Sequence, residues 1–384
     1  MTAVLVGVFI FASRASTYHE IYSIGNSVTS FEILKERFIS LAQSKGGEYA
    51  FEVLGRAPLP PGTDLHLLGH VVGDVLYEQK GIPGMAACTQ GFRNACSHSI
   101  VINALFEHGE DILPQVWAAC QKAPGGKGAY TMCFHGFGHG VFTYFGRDLE
   151  KTVTYCRKAG TAAYNFREYQ ECVGGAIMEL VDPGPGIGGD EVALDKARER
   201  YFDGPLSPCM SPVIPEDAKG ICFVYLTPRL WIRAGIDLGN PDPAKFADAF
   251  KLCDKVPRSK TVLRNICYGG FGKEFTVLAA ARDIRSIDSQ SDDFLNTVAA
   301  WCAEAGNQDG EAACVGDAVA SLFWGGENDP DISFKFCGML KGPQLACYAR
   351  LAHEVGMYGG NARQALCDRI PLAARSGCEV SRSI

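Results

Sequence analysis

The sequence predicts an all-α fold: an α/α hairpin repeat solenoid or toroid stapled by disulfides within its hairpins. Three observations carry that expectation. Sixteen cysteines fall along the chain as eight neighbouring couples. The second cysteine of seven couples opens a similar segment, namely CSHSIVINAL, CFHGFGHGVF, CVGGAIMELV, CFVYLTPRLW, CYGGFGKEFT, CVGDAVASLF and CYARLAHEVG. These segments return every ~30 to 50 residues, the period of helical arrays in which each hairpin buries its apolar face only against its neighbours.

At 384 residues, 47% hydrophobic and 21% charged, the chain has the composition of a folded globular protein. Its net charge of −7 and the absence of a long basic run exclude a nucleic-acid surface of the usual kind, which needs clustered lysine and arginine to neutralise phosphates. The chain opens with an apolar run at residues 3–12, followed by Ser13, Arg14, Ala15 and Ser16. That run is too short for a comfortable membrane span but matches the apolar core of an export signal, with Ser13 and Ala15 as small cleavage-site residues. A basic stretch before it is missing, so residues 1–20 are read as an export signal or a short N-terminal anchor, with a buried helix as the alternative. Residues 21–384 are expected to form a single α-helical repeat domain.

Residues 30–55 read as one helix, because Phe31, Leu34, Phe38, Leu41 and Ala42 recur at helical spacing. Pro58, Pro60, Pro61 and Gly62 break it, and Thr63 is the expected cap of the next helix. That helix carries His66, His70, Asp74 and Glu78 at successive four-residue steps, a single polar stripe. From Cys88 onward the repeating unit takes over: a cysteine near the end of one helix, a polar or glycine-containing turn, and a cysteine opening the next.

The cysteine couples are Cys88 with Cys96, Cys120 with Cys133, Cys156 with Cys172, Cys209 with Cys222, Cys253 with Cys267, Cys302 with Cys314, Cys337 with Cys347, and Cys367 with Cys378. Connectivity does not follow from sequence, but pairing within couples is the simplest arrangement and places one staple at each hairpin. Each such loop closure contributes about 3 kcal/mol in the chain-entropy account. No CxxC pair occurs, which removes support for zinc knuckles and thioredoxin-type redox motifs. An even, disulfide-competent set points to an oxidising, extracytoplasmic compartment, whether periplasmic, secreted or membrane-anchored outside.

Two insertions stretch the array. The first, at 182–189, contains a formal GxGxxG match at Gly184, Gly186 and Gly189. Its two prolines, and Asp190 and Glu191 where a pyrophosphate would sit, make it a surface loop and not a dinucleotide site. The second, at 235–242, reads as an ordinary helix boundary.

The stretch DLEKTVTYCRKA at 148–159 followed by Cys172, and WCAEA at 301–305 followed by Cys314, resemble the secreted, cysteine-rich branch of tetratricopeptide-like repeats. The resemblance covers residues 88–378 and is architectural. It implies a disulfide-clipped scaffold, extended or ring-shaped, whose concave face binds a protein or peptide. Histidines on the inner helices and uneven repeat lengths depart from it.

Five of the eight histidines, His66, His70, His98, His135 and His139, fall in the early part of the array. His98 and His135 each stand two residues after a helix-opening cysteine, and His139 and His353 six after; Lys273 shares that later offset. In CFHGFGHG, helical spacing puts His135 and His139 on one face, and His66 and His70 repeat the interval. Gly136, Gly138 and Gly140 cost helix stability, about 1 kcal/mol each relative to alanine, which suits an inner helix packed closely against neighbours. Five imidazoles converging from successive hairpins predict a transition-metal site for zinc, copper, iron or nickel. Asp74, Glu78 and Glu107 are the expected acceptors behind them or additional ligands. HExxH and GxSxG are absent, so neither a zinc protease nor a serine hydrolase is indicated. The expected function is extracytoplasmic metal binding with redox or hydrolytic chemistry at an open coordination position, against the alternative of a non-enzymatic scaffold with structural histidines.

Overall fold

The computed structural model describes residues 20–181, 191–237 and 241–383, and among them every regular element is helical, with no strand. The apolar run at 3–12 and the GxGxxG match lie outside these residues. No helix among the described residues is long and apolar enough to cross a membrane.

Where one helix was expected over 30–55 there are two, α1 (Phe31–Lys45) and α2 (Gly47–Arg56). Ser30 caps α1 by accepting the Ile33 amide at 3.3 Å. Gly46, at φ 97°, turns the chain in backbone that a side chain disfavours. The break lets both helices lie on α3 (Leu65–Lys80): Leu34, Phe38, Ala50, Val53, Leu68 and Val72 share one apolar cluster. A straight rod would have carried half of that set away from α3. The cap of α3 is Asp64, whose carboxylate accepts the Leu67 amide at 2.9 Å, and not Thr63, whose hydroxyl closes the proline turn by donating to the Pro60 carbonyl.

The other helices are α4 (Ala95–His108), α5 (Leu113–Cys120), α6 (Gly126–Tyr144), α7 (Leu149–Ala159), α8 (Arg167–Val181), α9 (Glu191–Tyr201), α10 (Lys219–Tyr225), α11 (Thr227–Arg233) and α12 (Phe246–Phe250). They continue with α13 (Thr261–Ala279), α14 (Asp292–Ala303), α15 (Gln308–Phe323), α16 (Pro330–Met339), α17 (Gln344–Tyr358) and α18 (Arg363–Arg369). One row packs in succession: α3, α4, α6, α8, α10, α13, α15 and α17. A second row, including α5, α7, α14, α16 and α18, packs on its outside. The second cysteine of each couple through Cys347 sits on the inner row, and its partner lies on the outer row or in the turn before it.

All eight couples are bonded as neighbours, Cys88–Cys96 through Cys367–Cys378, and no described cysteine is free. Cα separations of 5.4 to 6.1 Å suit disulfide geometry. One expectation needs correcting. The second cysteines do not all open their helices: Cys133 stands two turns inside α6, and Cys267 and Cys314 more than one turn inside theirs. The helices begin earlier because the bond anchors the level at which the two rows touch, and the turn lies beyond it.

Glycines set how closely the inner row packs. A Cβ on Gly138 would lie 1.9 Å from the Cys172 carbonyl oxygen, and one on Gly175 would lie 1.9 Å from that of His135. Thus α6 and α8 meet backbone to backbone. Gly136 faces the His98 ring, which a Cβ would approach to 2.4 Å. The late helices also meet the early ones: α17 contacts α6, Arg93 donates to Ser321 at 3.0 Å and lies over the Trp324 ring, and Arg285 donates to the Leu54 and Ala57 carbonyls.

Candidate metal centre

The inner row brings five imidazoles into one cluster. His66 and His70 come from α3, His98 from α4, and His135 and His139 from α6. His98 lies in the middle, with ring centroids 5.6 Å from His66, 5.5 Å from His70, 5.6 Å from His135 and 6.1 Å from His139. His66 is half-buried and the other four are buried. Helical side chains lean toward the N-terminus, so two histidines four residues apart meet, and both pairs do so edge to face, with ring centroids 4.7 Å apart for His66 and His70 and 4.9 Å for His135 and His139.

The hydrogen bonds behind the rings determine which nitrogens carry protons. His66 Nδ1 lies 2.6 Å from the Phe92 carbonyl oxygen, which can only accept, so Nδ1 holds the proton and Nε2 is bare. The Ser99 hydroxyl gives its single proton to the His70 carbonyl at 2.9 Å and therefore accepts from His70 Nδ1 at 3.1 Å. His70 Nε2 is bare as well. These two bare nitrogens face each other at 3.2 Å, lone pair against lone pair. That contact is repulsive unless a cation lies between them. Two metal–nitrogen bonds of about 2.0–2.1 Å at a tetrahedral angle span a similar distance.

The second pair repeats the arrangement with different backing. His139 Nδ1 donates to Glu179 at 3.0 Å, and His135 Nδ1 faces the Glu171 carboxylate at 3.7 Å. The two Nε2 atoms again stand 3.2 Å apart. His98 differs from all four: both of its ring nitrogens are buried without a hydrogen-bond partner. A buried polar atom left unpaired costs ~1–3 kcal/mol, so two on one ring need an explanation that the protein's own groups do not supply.

Electrostatics favour the neutral, metal-binding form. Burial pushes His66 down, and pushes His70 and His98 well below the ordinary imidazole range, with the neighbouring imidazoles adding to the shift of His70 and His98. Burial lowers His135 to about 4, against the opposing pull of Glu171. Burial alone would raise Glu171; the Arg167 guanidinium, 2.6 Å away, and His135 together hold its carboxyl below its usual range.

Among the described residues, His66, His70 and His98 offer nitrogens that all lie within 4.8 Å of one another, a set able to hold a metal ion. The carboxylates expected behind the rings have other direct partners, although Asp74 also bonds to Ser99, the hydroxyl that backs His70. Asp74 accepts from Asn103 at 2.8 Å, Glu107 accepts from Tyr77, and Glu78 is exposed. Each follows His70 or His98 along its helix, whereas the rings lean the other way. The acceptors in place are Phe92, Ser99, Glu171 and Glu179. Glu171 immediately precedes the segment CVGGAIMELV and Glu179 stands inside it, and an acidic residue within an otherwise apolar run was the available signal. Phe92, Arg93 and Asn94 all lie at φ between 54° and 66°, strained backbone for non-glycine residues that presents the Phe92 carbonyl to His66. His353 and Lys273 do not join the imidazoles.

Beside the cluster lies a cavity of about 860 Å³ whose walls include Arg167, Glu171, Lys273, Asp317, Arg350 and Glu354. Its charges are matched: Arg167 with Glu171 at 2.6 Å, Arg350 with Glu354 at 3.0 Å and with Asp317 at 3.3 Å, and Lys273 with Glu274 at 2.7 Å. Glu171 and Tyr225 touch both regions, since the Tyr225 ring packs 4.6 Å from that of His135. Set against protein-family models, curated proteins and solved structures, the chain matches none of them.

Proposed function

We propose that this is an extracytoplasmic metal-binding protein that holds a zinc, copper or iron ion on His66, His70 and His98. The observation that carries this reading is the pair of bare nitrogens, His66 Nε2 and His70 Nε2, facing each other at 3.2 Å beside an unpartnered His98. Three imidazoles leave one position of a tetrahedral ion for water or another ligand, the requirement for hydrolytic or redox use. Eight disulfides support the oxidising compartment. The inner row, with α17 returning to α6, supports reading the array as a repeat that curls into a ring.

Elemental analysis of protein purified without a tag tests the assignment. Stoichiometric metal is expected, lost in His98→Ala together with ligand-linked stabilisation of about 3 kcal/mol at a hundredfold excess over Kd. A metal content of zero that stays zero after incubation with zinc or copper overturns it. A second reading, a scaffold that takes a polar peptide on its concave face, is favoured by the charged walls of the cavity. It predicts a specific partner in pull-downs, lost in Arg350→Ala, from protein that carries no metal.

A further inference from the structure

We propose that the centre takes two metal ions joined through His98, whose two ring nitrogens each serve one imidazole pair: His66 and His70 on one side, His135 and His139 on the other. This rests on the metal-binding reading above and goes beyond it in number of ions, ligand assignment and the state of His98.

Three observations converge. First, the pairs are built alike in their Nε2 atoms, 3.2 Å apart in each, and three of the four Nδ1 atoms are bonded to acceptors, His135 Nδ1 standing 3.7 Å from Glu171 without a hydrogen bond. A single pair explains one ion, and the second needs its own. Second, one ion cannot serve all five rings. Ligand nitrogens around one ion lie no more than about 4.2 Å apart, twice a bond length of ~2.1 Å. Among the described residues, the set that closes within 4.8 Å stops at His66, His70 and His98, so His135 and His139 lie beyond the same ion and the His98 ring must shift toward them to complete the second site. Third, His98 has two buried nitrogens and no partner for either, and it stands between the pairs. An imidazole that served one ion would still leave its other nitrogen to be satisfied. Here the protein provides no acceptor for it, and the rings of His135 and His139 lie 5.6 and 6.1 Å from that of His98.

The proton balance follows. Neutral His98 has one bare nitrogen and one N–H. The first ion binds the bare nitrogen without proton release from His98. The second displaces the remaining N–H proton to solvent and leaves an imidazolate bridging the two ions. His98 stands somewhat farther from His139 than from the first pair, so the complete triad fills first and the bridge closes on the second ion.

The experiment is a copper(II) titration of the full chain, stripped of metal with EDTA and dialysed, followed by electron paramagnetic resonance, by elemental analysis and by proton release in weak buffer. Copper content should reach two per chain. The resonance should grow to the first equivalent and then fall as the second binds, because an imidazolate couples the two spins antiferromagnetically. Proton release should be one greater for the second ion. His139→Ala should stop at one equivalent with an undiminished signal, as should His70→Ala. Saturation of the wild-type chain at one equivalent overturns this proposal and leaves the single-ion reading standing. Two equivalents with additive, uncoupled signals overturn the bridge. No bound copper at all removes the metal-binding reading itself. The wild-type titration decides between these outcomes whether or not the variants fold.

Discussion

The two histidine pairs share a four-residue interval and a 3.2 Å separation of Nε2 atoms, yet different chemistry stands behind their rings. His66 and His70 lean on neutral groups, a backbone carbonyl and a serine hydroxyl. His135 and His139 face carboxylates, Glu171 and Glu179. A neutral acceptor fixes the tautomer and the ring orientation; a carboxylate does the same and also makes the imidazole a stronger donor to a cation. The first pair makes up for this by having His98 closer. One helical interval therefore yields two imidazole pairs of different character, and the difference arises from the neighbouring helix rather than from the pair itself.

The largest effect should come from the crossing that delivers those carboxylates. Gly138→Ala and Gly175→Ala each drive a Cβ to 1.9 Å from a backbone carbonyl oxygen, so α6 and α8 must separate. Urea denaturation should show a loss of at least about 3 kcal/mol or no folded protein. Gly73→Ala in the first pair meets the Ser99 Cβ at 2.8 Å, where a small helix shift suffices and alanine restores helix propensity. About 1 kcal/mol is expected there. Equal losses at the two crossings would break the comparison.

Acid should separate the regions next. His70 and His98 are held neutral mainly by burial, and His135 is lowered to about 4 for the same reason. Their folded-state values lie below the unfolded value of about 6.5, so between about pH 6.5 and 4 the unfolded chain binds more protons. Their contribution is complete above that window and is lost as pH falls through it. The melting temperature of metal-free protein should drop across this range, and less steeply in His70→Asn. An unchanged slope in that variant would assign the acid sensitivity to other groups.

Metal affinity offers a finer test. Glu179→Gln keeps the shape and removes the charge behind His139, and an acceptor that orients a metal-ligating histidine is worth roughly 10–100-fold in affinity. Isothermal titration should show that loss on the second equivalent and little change on the first. Ser99→Ala removes a neutral partner of His70, worth ~1 kcal/mol, and should weaken the first equivalent about fivefold. Reversal of those two assignments would mean that the pairs have been matched to the wrong ions.

How much of this was legible beforehand varied with the range of the interaction. Pairing of cysteines close in sequence, the break at Pro58 to Gly62 and the shared face of His135 and His139 depend on short chain distances that spacing reports directly. The close packing of α6 was legible too, since three glycines in CFHGFGHG make little sense in an exposed helix. The division of 30–55 turned on whether Gly46 adopts positive φ, which only the packing of α1 and α2 on α3 decides. The acceptors were missed for a similar reason. Asp74 and Glu78 are near His70 in sequence, but Glu179 reaches His139 only because α8 crosses α6 at Gly138 and Gly175. No periodicity within one helix records that crossing.

The smallest effect expected concerns Arg167, and it asks why the carboxylate-backed pair is uneven. Glu179 meets His139 at 3.0 Å, whereas Glu171 stands 3.7 Å from His135 because its other oxygen is held by Arg167 at 2.6 Å. A carboxylate bonded to a guanidinium has less of its charge available to a second partner, and burial then keeps His135 neutral. Arg167→Met retains the aliphatic stem and leaves Glu171 buried with His135 as its nearest titratable partner. An unpaired buried carboxylate is unfavourable enough that the two groups should share a proton, taken up on His135. In metal-free protein, the imidazole titration of His135 followed by NMR should move upward from about 4. At pH 5 the resonance would then report a charged ring where the parent chain has a neutral one. A midpoint that stays in place would show that desolvation alone sets it, and that Arg167 has no part in making the two carboxylates unequal.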